Sequence, residues 1–424
     1  MIQPQARLVR RVRTAAVAVV LVVMAVGLLL IWPSRQVTVD ERLLVPRIPS
    51  GGTNGNAVVL LDQAMSRFRS TNELRELRWA RKGINPLDME KARRIVTAES
   101  ETLRLIHEAF RQPECELVVA PVWTPNDVEV PNWGTLGRLA AVDAELQSNG
   151  SLTGFAWNSA WDLVRLGHRL EDCGGTDFHY RSGREMKREG LKLFQRWAAR
   201  FQGPPEELVR QARALAAFPA NKTGLTNVVG WRFQHDLLGL SNEVSTATLL
   251  GDSKIHLPMP PLFYDPERTR NRRAQQSLTL LKALGGPAGA HLPMAKSPTN
   301  RLFEVGRLLL TGNAVGEIMA DLAKSMDDSL LSGHHLESND VSATRLILAL
   351  RAFELETGEL PSSLAALVPR YLDAVPSDAF DGQPLRYSRE QRKLWSVGSN
   401  RLDDGGVDRD AQRNKLDNVY ELGW

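Results

Sequence analysis

The longest apolar stretch of the chain lies near its N-terminus. Residues 14–32, TAAVAVVLVVMAVGLLLIW, are nineteen consecutive positions without a charged side chain. A helix of that length crosses the ~30 Å hydrocarbon core of a bilayer, so the pattern predicts a transmembrane signal anchor with the lipid bilayer as its partner. A cleaved signal peptide is the competing interpretation. Its apolar region is usually only ~7–15 residues long, and the following WPSRQV lacks a small-x-small cleavage site.

After a linker over residues 33–55 that is rich in proline and glycine, the pattern becomes helical. Apolar residues at i, i+3, i+4 and i+7, beginning at Leu61, indicate an amphipathic helix. The same periodicity predicts an irregular α-helical ectodomain over residues 56–335. Prolines and β-branched residues over 115–133 predict one or two short strands within it. Further helices are predicted over residues 87–112, 134–147, 152–171, 183–201, 205–218, 225–238, 267–284, 300–310 and 312–331.

The last part of the chain changes character and predicts a small α+β module over residues 338–424. A helix is expected to begin at Ser338 or Asn339 and to stop at Gly358 in the C′ position. A short helix over 362–368 and two strands of a hairpin, 384–388 and 393–398, follow. The predicted fold class is therefore mainly α, with an N-terminal transmembrane helix, a helical ectodomain and a small C-terminal α+β module.

The net positive charge of the chain comes from its N-terminus. The net charge is +4, and the predicted cytoplasmic tail over residues 1–13 carries four arginines and no acid. The remaining 49 basic residues (53 − 4) equal the 49 acidic ones, so a nucleic-acid partner is not expected. The positive-inside rule then predicts a single-pass protein of the bacterial inner membrane, with its N-terminus cytoplasmic and its bulk in the periplasm.

Residues 340–410 contain several turn residues in a fixed order. Gly358 to Pro361, Leu364 to Leu367, the segment from Asp378 to Tyr387, and Ser396 to Gly398 follow one another. In this order they resemble the globular domain of the major pseudopilins of type II secretion. In layout, the whole chain also resembles membrane-anchored proteins of planctomycete-type bacteria, in which a helical ectodomain precedes a pseudopilin-like module. The Gly-Phe-x-x-x-Glu processing signature of prepilins is absent from the start of the apolar run.

The resemblance implies a calcium site in the acidic loop SVGSNRLDDGGVDRD, residues 396–410. Calcium prefers six to eight oxygen ligands, and major pseudopilins hold calcium in this loop. An EF-hand alignment fails, because Leu402 and Ala411 stand where ligands would be required. The alternative is a solvated turn that uses Asp and Gly for its backbone conformation. The candidate ligands are Asn400, Asp403, Asp404, Asp408 and Asp410.

The cysteines and histidines leave further alternatives open. Cys115 and Cys173 form either one disulfide in an oxidising compartment or two buried thiols. His334 and His335 form either a metal site with Glu337 or, as we expect, part of an exposed linker. His168 follows a stripe of tryptophans at helical spacing and is expected to be a hydrogen-bonded core histidine.

No catalytic motif stands out in the sequence. The G-x-S-x-G elbow, the P-loop, the dinucleotide fingerprint and the H-E-x-x-H zinc motif are all missing. The function expected first is a non-enzymatic, membrane-anchored interaction or scaffold protein with protein partners in the envelope. The alternatives are an accessory component of a type II secretion or pilus-like system and a cryptic hydrolase in the helical domain.

Overall fold

The computed structural model of the chain describes residues 39–118, 132–148, 154–238, 264–286, 288–289, 313–407 and 417–424. It is mainly helical, with 64% helix and two small sheets. The chain divides into two compact units. The larger unit contains the described parts of Arg42–His235, Ser277–Pro293 and Asp327–Trp424, and the smaller one those of Met1–Glu41, Asp236–Gln276 and Met294–Met326.

The secondary structure consists of long helices and short strands. The helices are α1 Ala57–Arg67, α2 Thr71–Glu76, α3 Met89–Ala98, α4 Ser100–Arg111, α5 Trp133–Ser148, α6 Gly154–Leu170, α7 Asp177–Arg200, α8 Pro205–Ala214, α9 Lys222–Leu238, α10 Pro266–Gly285 and α11 Ala314–Thr357. The strands are β1 Trp79–Ala80, β2 Gly83–Ile84, β3 Arg386–Ser388, β4 Lys393–Ser396 and β5 Asn418–Glu421.

The prediction of a transmembrane helix is contradicted by the part of the chain that the structure describes. Residues 14–32 lie outside the described residues, and no helix within the described ranges is long and apolar enough to cross a membrane. The fold class is corrected on this finding to a mainly helical chain with two small sheets. The predictions of a signal anchor and of a single-pass inner-membrane location rested on that helix and are contradicted by the same finding. The lipid bilayer as a partner is not tested and stays a prediction.

Glycines bring the backbones of α6 and α7 close together. A Cβ atom at Gly183 would lie 2.7 Å from the carbonyl oxygen of Gly167, and one at Gly190 would lie 2.7 Å from that of Ala160. Glycine costs up to about 1 kcal/mol in a helix interior, but here it allows a contact that any side chain would obstruct. The buried aromatic rings of Trp157 and Phe194, which stack at 5.4 Å, fill the interface further along.

The predicted helix over residues 87–112 is wrong as a single element, because it breaks at Glu99 into α3 and α4. The Glu99 carboxylate is buried and accepts hydrogen bonds from the amides of Arg69 and Ser70 and from the hydroxyl of Thr102. Although burial raises the pKa of Glu99, these hydrogen bonds leave it below its usual range. The break thus places one carboxylate where it accepts hydrogen bonds from the backbone amides just before α2.

The predictions for residues 312–361 need two corrections. The structure has one helix, α11, where we expected two helices joined by an exposed linker at His334 and His335. Both histidines are buried within that helix. The Ser338 hydroxyl donates to the carbonyl oxygen of His334, so it is bonded within a helix that it was expected to cap. The predicted stop is confirmed, because Gly358 has φ +84° and its amide donates to Glu354.

The hairpin predicted in the C-terminal part is confirmed, and a third strand extends it. β3 pairs antiparallel with β4, and β4 pairs antiparallel with β5, which the sequence analysis did not predict. The apolar residues of this part join those of the helical body in one core. Side chains link the two as well: Gln195 donates to Thr344 and Arg351 donates to the carbonyl oxygen of Phe201. This packing places the middle of α11 against α7.

The smaller unit has its own, much smaller apolar cluster. Buried Tyr264 and Val315 pack with the partly buried Leu237 and Met319. The buried guanidinium group of Arg273 donates to Asp236 at 2.7 and 2.9 Å, which helps hold this unit together. The helix predicted over residues 300–310 lies outside the described residues.

Candidate functional site

A cluster of ionisable side chains lies inside the larger unit, around Lys187 of α7. The Lys187 side chain is 0% exposed, and its ammonium nitrogen lies 2.5 Å from Oε1 of Glu337 and 3.3 Å from Oε2 of Glu171. It also donates to the carbonyl oxygen of Pro219 at 2.8 Å and contacts Nδ1 of His168 at 3.3 Å. The two carboxylates are 0% and 2% exposed. We call Lys187, Glu171 and Glu337 the buried charge cluster.

Three separate parts of the chain supply the buried charge cluster. Glu171 directly follows α6, Lys187 lies on α7, and Glu337 lies on α11. Gly224 near the start of α9 seals the cluster from another side, because a Cβ atom there would collide with the carbonyl oxygen of Glu171. The helix pair can enclose an ammonium group because α6 and α7 meet through glycines.

The electrostatics of the cluster follow from its burial. One ammonium and two carboxylates sum to −1 in a region enclosed from solvent, and an unpaired buried charge is costly. Burial therefore raises the pKa of Glu171 to about 7, against the attraction of Lys187. Burial together with repulsion from Glu171 raises the pKa of Glu337 to about 7. A proton held by the two carboxyl groups makes the cluster neutral.

Neighbouring aromatic and imidazole groups stay uncharged. The Tyr180 hydroxyl donates to Oε2 of Glu337 at 3.1 Å and lies 3.4 Å from Nδ1 of His334. Burial and the nearby Glu337 raise the pKa of Tyr180 well above 10, which keeps it a hydrogen-bond donor. Burial lowers the pKa of His168 and of His334 to about 4. His168 is therefore a neutral, hydrogen-bonded histidine whose side chain is 25% exposed, so it lies at the edge of the core in which its place on the tryptophan stripe predicted it.

The raised carboxyl pKa values give a pH dependence of stability that Glu337→Gln should reduce. Between pH 4.5 and about 7 the folded carboxyl groups bind more protons than the unfolded ones, so their contribution to the free energy of unfolding falls as the pH rises. Glutamine removes one of the two groups. Between pH 5 and 8, the free energy of unfolding of Glu337→Gln should therefore rise relative to wild type by on the order of 2 kcal/mol.

Urea unfolding at a series of pH values measures this difference. Glu108→Gln is the matched control, since the Glu108 side chain is 45% exposed and, among the described residues, its ion pair is an i,i+4 contact with Arg104. If the difference in the free energy of unfolding between Glu337→Gln and wild type stayed constant from pH 5 to 8, the folded protein would not bind the extra protons that the raised carboxyl pKa values require.

A polar pocket of about 250 Å³ opens beside the cluster. Tyr180 belongs to both, because its hydroxyl bonds Glu337 and its side chain lines the pocket. The remaining walls come from α7, α11 and the C-terminal part. They are formed by Arg181 and Arg184, by Ser329, Leu330, Ser332, Gly333 and Leu336, and by Phe380, Ser399 and Asn418. We call this the Arg184 pocket.

The two cysteines lie near each other, Cys173 buried and Cys115 partly buried. The structure contains Cys115 and Cys173 as free thiols and not as the disulfide that the sequence allowed. Burial raises the pKa of Cys115 to about 12 and raises that of Cys173 further above its usual range. At neutral pH both are therefore uncharged thiols that contribute to the core.

The acidic loop uses its described aspartates within the chain. Asp403 accepts hydrogen bonds from the indole of Trp395 and the amide of Gly405. The amide group of Asn400 lies 3.5 Å from a carboxylate oxygen of Asp404. Asp408 and Asp410 lie outside the described residues. In the part of the chain that is described, no group of three or more His, Cys, Asp or Glu side chains is placed to hold a metal ion, so a calcium site stays a prediction.

The sequence analysis missed the residues that the structure places at the centre. Glu171 and Lys187 carried no motif, and Glu337 was considered only as a metal ligand beside two histidines. Asp417, which closes the acidic loop, was missed as well: it is buried and accepts the amides of Asp404 and Gly406. One usable signal was the pair Gly183 and Gly190 within a predicted helix, since interior glycines indicate a close approach of another backbone.

The chain has no counterpart in the comparisons with known proteins. No family model matches it, no curated protein matches it, and no solved structure matches it. The resemblance of residues 340–410 to the pseudopilins therefore stays a prediction, and the functional argument rests on the chain's own geometry.

Proposed function

We propose that this chain is a non-enzymatic binding protein that uses the Arg184 pocket to hold an anionic ligand. The observation that carries the proposal is where the ionisable groups lie. Lys187, Glu171 and Glu337, whose pairing could serve acid–base chemistry, are at most 2% exposed. A general acid or base must come within hydrogen-bond reach of the substrate, and these groups are enclosed by α6, α7 and α11.

The accessible groups of the pocket favour binding over catalysis. Arg184 and Arg181 are permanently charged donors, and the serines offer hydroxyl groups with no histidine or carboxylate among the lining residues. Such groups orient a ligand and neutralise its charge, but they do not exchange protons with it at neutral pH. The cryptic hydrolase is therefore disfavoured among the predicted functions.

A thermal-shift screen of the full chain against small anions, cations and neutral sugars tests the proposal. We expect the ligands that raise the melting temperature to be anions, to be recovered chemically unchanged by mass spectrometry, and to lose their effect in Arg184→Gln. Conversion of a ligand to product, or stabilisation by ligands regardless of residue 184, would contradict it.

A further inference from the structure

Arg184 is a cation whose charge attracts the carboxylates of Glu171 and Asp340 without forming an ion pair with either. Among the described residues its guanidinium group makes no hydrogen bond and no ion pair, although it lies close to the backbone of α11 at Gly333. A Cβ atom at Gly333 would collide with Nη1 of Arg184. The glycine therefore leaves room for the guanidinium group to lie across α11, at the edge of the pocket.

The acidic groups around the pocket are already paired with other cations. Asp340 bonds the Tyr420 hydroxyl at 2.8 Å and Arg188 at 3.2 Å. Glu337 bonds Lys187, as described above. Arg181, the second guanidinium group of the pocket, forms only a long ion pair with Asp177, whose nitrogen and oxygen atoms lie 3.5 Å apart. The lining residues of the pocket include two arginines and no carboxylate, so its wall carries positive charge that an anion would neutralise.

Hydroxyl groups face the arginines from a second helix. Ser329 and Ser332 are three residues apart on α11, which places them on one side of that helix. Ser399 adds a third hydroxyl from the turn after β4. Within the described residues none of these three side chains has a hydrogen-bond partner, so their donors are available to a ligand.

This donor arrangement fits a phosphate group better than a carboxylate. A carboxylate presents two oxygens in one plane, and one guanidinium fork satisfies it. A phosphate group presents three terminal oxygens around a tetrahedral centre, so it can use guanidinium groups on one wall and hydroxyl groups on another. Leu336 and Phe380 provide an apolar part of the same pocket, which suits the organic portion of an ester.

We propose that the Arg184 pocket binds the phosphate group of a small phosphorylated molecule, held by Arg184 and Arg181 from α7 and by Ser329 and Ser332 from α11. This inference rests on the proposed binding function and names the ligand class of the same pocket. The ligand would lie on the far side of Tyr180 from the buried charge cluster and would not contact Lys187.

Isothermal titration calorimetry of the full chain with inorganic phosphate and with glycerol 1-phosphate tests the inference, at matched ionic strength and with succinate as the carboxylate probe. Both phosphates should bind wild type, and Arg184→Gln should weaken their binding at least about tenfold. Arg165→Gln removes the same charge from α6, outside the pocket, and should leave the affinity unchanged. Circular dichroism confirms that each variant is folded.

A second variant places an acid inside the pocket. Ser332→Glu supplies Arg184 with an internal carboxylate and should abolish phosphate binding while raising the melting temperature. No heat with either phosphate up to about 10 mM overturns the inference. If phosphate does not bind but succinate binds in a way that Arg184→Gln abolishes, the proposed function remains and only the phosphate inference fails. If no anion binds in a way that depends on Arg184, the proposed function and the phosphate inference are both overturned. Equal weakening by Arg184→Gln and Arg165→Gln would show that only the overall charge matters, which also overturns the inference.

Discussion

Replacing Lys187 by methionine is expected to lower the free energy of unfolding at pH 7.5 by about 3–5 kcal/mol, because it leaves two buried carboxyl groups without their cation. Methionine matches the length of the lysine stem, so the loss would reflect charge and hydrogen bonding and not an empty volume. The destabilisation should be smaller at pH 5, where Glu171 and Glu337 can both take up protons. Urea unfolding followed by tryptophan fluorescence measures it.

Two further variants separate the buried charge cluster from a general effect of losing a lysine. Lys192→Met removes a lysine of the same helix, α7, that pairs with Glu189 near the surface, and it should cost less than about 0.5 kcal/mol. The triple variant Lys187→Met, Glu171→Leu, Glu337→Leu replaces the whole cluster by apolar groups and should recover much of the stability. Lys187→Met and Lys192→Met of equal stability would refute the idea that the cluster is a paired unit.

Replacing Asp378 by alanine should destabilise the chain by about 3 kcal/mol or more, since it leaves several buried donors unsatisfied at once. Asp378 is fully buried. Its Oδ1 accepts from the side chain of Asn339 at 2.8 Å and from the amide of Phe380 at 2.9 Å, and its Oδ2 accepts from the amide of Val397 at 2.9 Å. One carboxylate thus joins α11, the loop before β3 and the end of β4.

The matched control for Asp378 is Asp373→Ala. The Asp373 side chain is 81% exposed, and its ion pair with Arg213 is 3.6 Å long. Its removal should change the midpoint of urea unfolding little. If Asp378→Ala shifted the midpoint no more than Asp373→Ala, the carboxylate would not be the connection that its hydrogen bonds indicate.

Several elements could be predicted from the sequence because their signals are local. The boundaries of α5 and the start of α8 agree with the predicted helices, and the stop at Gly358 agrees with the need for positive φ after a helix. The hairpin of β3 and β4 was found in the same way. The break at Glu99 was not, because the carboxylate that ends α3 is used by the backbone of Arg69 and Ser70, about thirty residues away.

The candidate site could not be predicted either, because its residues are far apart in the sequence and meet only through tertiary packing. Asp378 stood in the motif that suggested a pseudopilin-like module, but its partner Asn339 was expected to cap a helix. The continuous helix α11 turns Asn339 inward, where its side chain donates to both Asp378 and Ser396. Likewise, Arg184 has an ordinary sequence context, and only the packing of α7 against Gly333 places its guanidinium group at the edge of the pocket.

By itself, the sequence determined where most of the described helices run, where the last one stops and that a hairpin follows, since these depend on side-chain periodicity and on the conformations of glycine and proline within a few residues. The tertiary structure alone decided which charges are buried together. Lys187 and Glu337 are separated by 150 residues along the chain and by 2.5 Å in space. A buried ammonium group is stable only where folding brings carboxylates to it, and no local sequence pattern indicates which distant residues will come into contact.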